Sequence, residues 1–335
     1  MTRRVLLAGD IGATKTNLAV FTAERGTPLV LAEQAFLNAG YPGLAEVVEA
    51  FASAHGHVPT AACFGIAGPV ADGRTRMPNL GWDIDARELG RALGLERVLV
   101  LNDLEATAYG IPTLAPDRFA VLNEGVRRTG GDLALIAAGT GLGEATLRWD
   151  GRAYQVAASE AGHADYAPVD ATQTMVLGRL RGRFGHVSYE RVISGPGLHN
   201  VYDVLDVDEM PSVTERIRTT DDPSALIAEL ALAGDSPRCV RALDVFVASY
   251  GAEAGNLALR ALATGGIYVG GGIAPKILRK LQDATFMRAF CDKGRFTEWL
   301  RRIPVNVVLD PTTALRGAAA YLARIEVDRP EGERI

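Results

Sequence analysis

Two stretches of this chain share one pattern, and their pairing limits the fold more than any other feature. Val5 to Gly9 is an apolar run that breaks into Asp10-Ile11-Gly12-Ala13-Thr14-Lys15-Thr16-Asn17 and resumes at Leu18 to Phe21. Leu133 to Ala138 breaks into Gly139-Thr140-Gly141-Leu142-Gly143-Glu144 and resumes as Ala145 to Trp149. Apolar runs flanking a Gly-bearing polar loop predict strand–turn–strand hairpins. Neither loop fits a Walker motif, because no Gly directly precedes Lys15, nor a dinucleotide fingerprint, because strands follow where helices are required. Taken singly, each is either a polar turn or an anion cradle. As a pair, they offer backbone N–H groups and Thr hydroxyls to opposite sides of one phosphate chain.

A third stretch, Arg97-Val98-Leu99-Val100-Leu101-Asn102-Asp103-Leu104, reads as a buried strand that ends in an amide and a carboxylate, with a helix from Leu104 to Tyr109. Open α/β sheets place ligands and catalytic groups at such carboxyl ends. On this segment alone, capping of the following helix is the favoured reading of Asn102 or Asp103. The two hairpins shift the reading of Asp103 toward chemistry.

Glu160 and His163 have ExxH spacing, but the intervening Ala161-Gly162 suits a tight turn, and no second ExxH completes a bundle-type metal site. A polar, hydroxyl-binding pair and a structural His are the two readings. Glu190 is a further isolated carboxylate, ahead of Ser194-Gly195-Pro196-Gly197, which opens a helix through Leu205. Gly265 to Lys276 reads as a short strand, a bare Gly270-Gly271-Gly272 turn and a helix with Pro275 near its first position. Met77 to Trp82 reads as a loop that carries Asn79, and Asp85 with Glu88 has capping-box spacing. Thr312 to Ala323 is a last Ala-rich helix, with a frayed charged tail from Glu326.

Bulk properties exclude several classes. A formal net charge of −5 without a basic stripe argues against a nucleic-acid binder. Three dispersed cysteines form no CxxC pair, so neither a Cys-rich zinc site nor a disulfide framework is expected. No apolar run approaches the ~20 residues of a membrane span, and the N-terminal run is too short for a signal segment. A cytoplasmic protein is expected.

The order of these signals resembles the actin/hexokinase/Hsp70 superfamily. Asp10 to Asn17, Ala138 to Gly143 and Gly270 to Lys276 look like its two phosphate segments and its adenosine segment. Within it, the chain resembles the bacterial glucokinases from end to end. The specific signs are Asn79-Leu80-Gly81-Trp82, Leu101 to Ala106, Ser159 to His163, Tyr189-Glu190-Arg191-Val192 with Ser194 to Gly197, and Lys293-Gly294-Arg295-Phe296.

The resemblance implies two ribonuclease-H-like α/β domains with an active-site cleft between them. The smaller domain would comprise residues 1–113 plus 311–335, the larger 114–310, with the last helix returning to the first domain. It implies glucose bound by Asn79, Asn102, Asp103, Glu160, His163 and Glu190, with Asp103 as general base. It implies ATP held by Asp10, Gly12, Ala13, Thr14, Lys15, Thr16, Gly139, Thr140, Gly141, Gly271 and Gly272. Mg²⁺ would be held mainly by ATP and water near Asp10, without a dedicated protein metal site, and the protein would be a homodimer. One departure is Ala161, where the family pattern reads Glu-Gly-Gly-His; its methyl group is expected to restrict the turn and so bear on sugar range. The absence of a zinc motif and of a helix-turn-helix extension argues against the repressor branch. Kinases for another hexose or an amino sugar, and a sugar-independent nucleotide-binding regulator, are the rival functions.

Overall fold

The computed structural model describes residues 4–24 and 27–327. Its internal contacts divide the chain into two compact units: residues up to Ala115 together with those from Asp310 onward, and Pro116–Leu309.

Among the described residues the first unit contains seven strands: β1 (Val5–Ile11), β2 (Lys15–Glu24), β3 (Thr27–Leu37), β4 (Ala61–Ile66), β5 (Arg74–Met77), β6 (Trp82–Asp85) and β7 (Arg97–Asn102). Five form a sheet in the order β3-β2-β1-β4-β7. The β1–β2–β3 meander is antiparallel, whereas β4 and β7 add parallel to β1. β4 is buried along its whole length, as its unbroken apolar sequence requires of a strand covered on both faces. The helices Leu44–His55 and Ala86–Leu93 cover one face through Leu44, Val47, Phe51 and Leu89. Asp85 caps the second of these by accepting the Arg87 and Glu88 amides, as its spacing predicts.

The other face is covered by the helix Thr313–Val327, whose Leu315, Ala318, Leu322 and Ala323 bury against Leu6, Ala8 and Phe21. It packs on the helix Asp103–Gly110 so closely that a Cβ on Gly317 would lie 1.7 Å from the Ala106 carbonyl oxygen. Only glycine fits there. Glu326 is not part of a frayed tail: it lies in this helix, is buried, and meets the Arg4 guanidinium at 2.5 Å. The remainder of the expected tail, from 328 onward, lies outside the described residues. The stretch from Met77 to Trp82 is likewise not a plain loop. Met77 and Trp82 close the β5–β6 hairpin, both buried, leaving Asn79 in its exposed turn.

The second unit contributes β8 (Phe119–Asn123), β9 (Leu133–Ala138), β10 (Leu142–Trp149), β11 (Tyr154–Ser159), β12 (Gly266–Gly270) and β13 (Val305–Val308), ordered β11-β10-β9-β12-β13-β8. Again an antiparallel meander is extended by two parallel strands, and β8 closes the far edge antiparallel. The first sheet's arrangement therefore recurs, hairpin for hairpin, in the ribonuclease-H-like order that the resemblance implies.

The core of this unit is packed by the long helix Pro237–Ala261 with Gly195–Val204 and Pro223–Ala233. The helix Pro211–Thr219 was not expected from the sequence; Pro at its first turn and buried Val213 and Ile217 explain it. After β12 the expected helix at Pro275 is absent. Residues 271–277 form consecutive turns, and only Leu278–Leu281 is helical. Among the described residues, no helix is long and apolar enough to cross a membrane.

Candidate active site

In the first unit the β1–β2 loop is closed by the Gly12 amide donating to the Lys15 carbonyl at 3.0 Å. Ala13, Thr14 and Lys15 stand exposed at its tip. Thr16 does not join them: it is buried and donates its hydroxyl to Asn38 Oδ1 at 2.8 Å. Asn38 Nδ2 in turn donates to the Gly12 carbonyl at 2.8 Å. One buried amide thus fixes both ends of the loop, a role the sequence did not announce.

Asp10 is the penultimate residue of β1 and receives the Asn17 amide at 3.3 Å. Asp103 follows β7, two strands away in the same sheet. Burial pushes both carboxyls above their ordinary range, and the Asp103 charge adds to the rise at Asp10 while Lys15 opposes it. Asn102 Nδ2 donates to the Gly68 carbonyl at 2.9 Å, and its Oδ1 accepts the Leu104 amide at 2.9 Å. Asp103 Oδ1 accepts that same amide at 2.9 Å. Capping and the placing of a carboxylate at a strand end are therefore one arrangement. No hydrogen bond joins Asn79 to Asn102 or Asp103 among the described residues.

In the second unit the β9–β10 loop repeats the closure, with the Gly139 amide donating to the Gly141 carbonyl at 2.8 Å. Thr140 is exposed at the tip. Glu190 reaches this loop: its Oε2 accepts the Leu142 amide at 3.0 Å. His163 sits between two carboxylates, with Nε2 at 3.9 Å from Glu160 and Nδ1 at 4.0 Å from Glu190. These separations exceed a hydrogen bond, so the imidazole and both carboxylates keep donors and acceptors for a ligand. Glu160 to His163 form a single turn, as Ala161-Gly162 suggests. Gly162 is the residue that must be glycine, since a Cβ there would lie 2.0 Å from the Leu142 carbonyl oxygen. Ala161 is the first helical residue of this turn.

A family model described as Glucokinase matches residues 7–325. The chain is 38% identical to a glucokinase from Trichormus variabilis, covering 96% of this chain and 99% of that protein. The chain belongs to the glucokinase family. A solved glucokinase from an Antarctic psychrotroph is 31% identical, with a TM-score of 0.84 over 96% of this chain and 99% of its own. A glucokinase from Balamuthia mandrillaris, solved in complex with glucose, shares the fold at 23% identity, with a TM-score of 0.74 over 96% of this chain and 94% of its own.

In this glucokinase-family chain, a pocket of about 460 Å³ adjoins the second loop, lined by Gly139, Thr140, Gly272, Ile273, Asp222 and Lys276. Gly271, at φ +83°, packs against the Ala138 backbone, and Gly272 has open space around it. Tyr250 supports this region from below. Its buried hydroxyl accepts the Ala138 amide at 3.1 Å and lies 3.1 and 3.2 Å from the Ile136 and Gly270 carbonyls. It thereby ties the ends of β9 and β12 together. Among the described residues no group of three His, Cys, Asp or Glu side chains could hold a metal ion.

Proposed function

We propose that this protein is a glucokinase that transfers the ATP γ-phosphoryl group to the 6-hydroxyl of D-glucose, giving glucose 6-phosphate and ADP. The observation that carries the reading is Asp103. It is a carboxylate at the end of a parallel strand, fixed by the Leu104 amide and raised by burial toward the range of an effective base. In this reading Asp103 accepts the hydroxyl proton as the oxygen attacks the phosphorus, and the proton resides on its carboxyl group until product leaves.

Asn102, Glu160, His163 and Glu190 supply the mixed donors and acceptors that a ring of hydroxyls needs. Such a site rejects an epimer because its own polar groups are then left unpaired. The Gly12 and Gly139 loops and the pocket beside Gly272 are assigned to ATP. Asp10 suits Mg²⁺ by the chemistry of its donor: a hard carboxylate oxygen, raised by burial and by the neighbouring Asp103 charge, gains from a divalent cation. When bound with ATP, the ion supplies charge neutralisation for the phosphates. A cytoplasmic location and a homodimer belong to the same proposal.

Purified protein with ATP and Mg²⁺ is assayed against a panel of hexoses and amino sugars, beside Asp103→Asn. The expected result is phosphorylation of glucose and a loss of about 10²–10⁴-fold in kcat for the variant. Reaction of another sugar but not glucose overturns the substrate, and near-normal turnover in Asp103→Asn overturns the base. Equal ATP hydrolysis without any sugar favours a nucleotide-dependent regulator.

A further inference from the structure

The buried charges of the second unit do not balance. Glu144 on β10 and Glu253 in the helix Pro237–Ala261 are both fully buried. A single half-exposed guanidinium, that of Arg260, meets both carboxylates, with 3.1 Å to Glu144 Oε2. Glu253 also accepts Asn256 Nδ2 at 2.9 Å. Glu144 Oε1, by contrast, is buried with no hydrogen-bond partner, although the Glu253 carboxyl is its neighbour. Among the described residues Arg260 is the one cation paired with either carboxylate, and burying both of them ionised against it is strongly unfavourable. A proton on Glu144 Oε1, donated to Glu253, satisfies the orphaned oxygen and removes the excess charge at once.

This pair connects to the candidate sugar residues by three routes. Asn256 Nδ2 lies 3.1 Å from the hydroxyl of Tyr189, a buried residue directly before Glu190. Glu144 lies on the same strand as Leu142, whose amide holds Glu190. Across the ladder Glu144 pairs with Ser159, whose hydroxyl donates to the Glu144 carbonyl at 3.1 Å and which directly precedes Glu160.

We propose that Glu144 and Glu253 share one proton and together act as positioning residues for Glu190 and Glu160, so that losing this proton loosens sugar binding. The proposal rests on the sugar-site reading given above. The other ionisable groups facing the pair are Arg260, Tyr189, Tyr250 and Lys293. Burial pushes both phenols upward, and Arg260 stays charged, so none of these three titrates near neutrality. Lys293 is pulled below its ordinary value by burial, so Lys293→Arg, which cannot lose its charge in this range, is the control.

The experiment measures KM and kcat for glucose from about pH 6 to about pH 10 in wild type, Glu144→Gln and Lys293→Arg. Infrared spectra of wild type and Glu144→Gln at neutral pH accompany it. Glu144→Gln carries the bridging hydrogen permanently. The expected result is a KM that rises about threefold or more with pH in wild type and in Lys293→Arg, with kcat moving less, and stays flat in Glu144→Gln. A protonated-carboxyl band is expected in wild type and absent from Glu144→Gln. The same pH dependence in wild type and Glu144→Gln overturns the proposal, as does a wild-type spectrum without that band. If no sugar is phosphorylated at all, the sugar-site reading fails, and the infrared band alone then decides whether the proton is shared.

Discussion

Glu190 Oε2 accepts the Leu142 amide at 3.0 Å, so a candidate sugar ligand and a candidate phosphate loop are joined by one hydrogen bond. The carboxylate lies over Gly141 so closely that a Cβ added there would be 2.6 Å from it. Gly141 is therefore glycine for the sake of Glu190, and not only for a ligand phosphate.

Gly141→Ala forces Glu190 off the Leu142 amide. Losing a hydrogen bond to a charged group costs about 1.5–3 kcal/mol, which predicts a rise of roughly tenfold or more in KM for glucose. Steady-state kinetics against glucose and ATP separately check it. An increase confined to KM for ATP would contradict the assignment of Glu190.

Asn38 is a staple with two different ends, accepting from Thr16 and donating to Gly12. Asn38→Ala takes this partner from the buried Thr16 hydroxyl and the half-buried Gly12 carbonyl, and is expected to lower stability by about 1–3 kcal/mol, measured by urea unfolding. Asn38→Asp still accepts from Thr16 but cannot donate to the Gly12 carbonyl, so it should raise KM for ATP while leaving KM for glucose near normal.

Tyr250→Phe removes one hydroxyl and orphans the Ala138 amide, for a stability loss of about 1–3 kcal/mol. Because that hydroxyl joins β9 to β12, weaker ATP binding should accompany the loss, read by nucleotide titration. Unchanged stability would show that the hydroxyl contributes nothing net.

Burial raises the Asp103 carboxyl above its ordinary value of 3.8, and this fixes two signs. A base must be ionised, so kcat/KM falls as pH drops through that raised value, and the acid limb lies above pH 3.8. For stability the raised value favours the fold at low pH, and that contribution is lost as pH rises through it. Asp103→Asn, which never ionises, should consequently be no less stable than wild type at neutral pH, while losing its activity. A thermal melt beside the kinetic assay tests both signs.

Asp103, the two glycine loops and the Glu160–His163 turn were legible because each interrupts an apolar run with residues that the run does not need. The strand order was legible only through resemblance, since no local pattern states which strands neighbour each other. Asn38, Tyr250 and Glu144 were not legible. Asn38 contacts residues 22 and 26 positions away, and the hydroxyl of Tyr250 meets an amide 112 positions away. Each sits in a segment whose periodicity gives no sign of a polar partner. Pro275 misled because its fixed φ suits a turn as well as a helix start, and Glu326 because charge near a terminus resembles a solvated end until Arg4 is placed beside it.

The return of the helix Thr313–Val327 onto β1 has a consequence for how the chain is made. Leu6, Ala8 and Phe21 are covered by Leu315, Leu322 and Ala323, so the earliest strands leave the ribosome with a bare apolar face. The second unit is complete in sequence by Leu309, before that cover has been synthesised. During translation the interior of the chain is thus able to fold ahead of its beginning, and the first sheet closes only when the last helix emerges. Chains truncated just before Thr313 should accordingly expose that face and aggregate through it, with a folded second unit still attached.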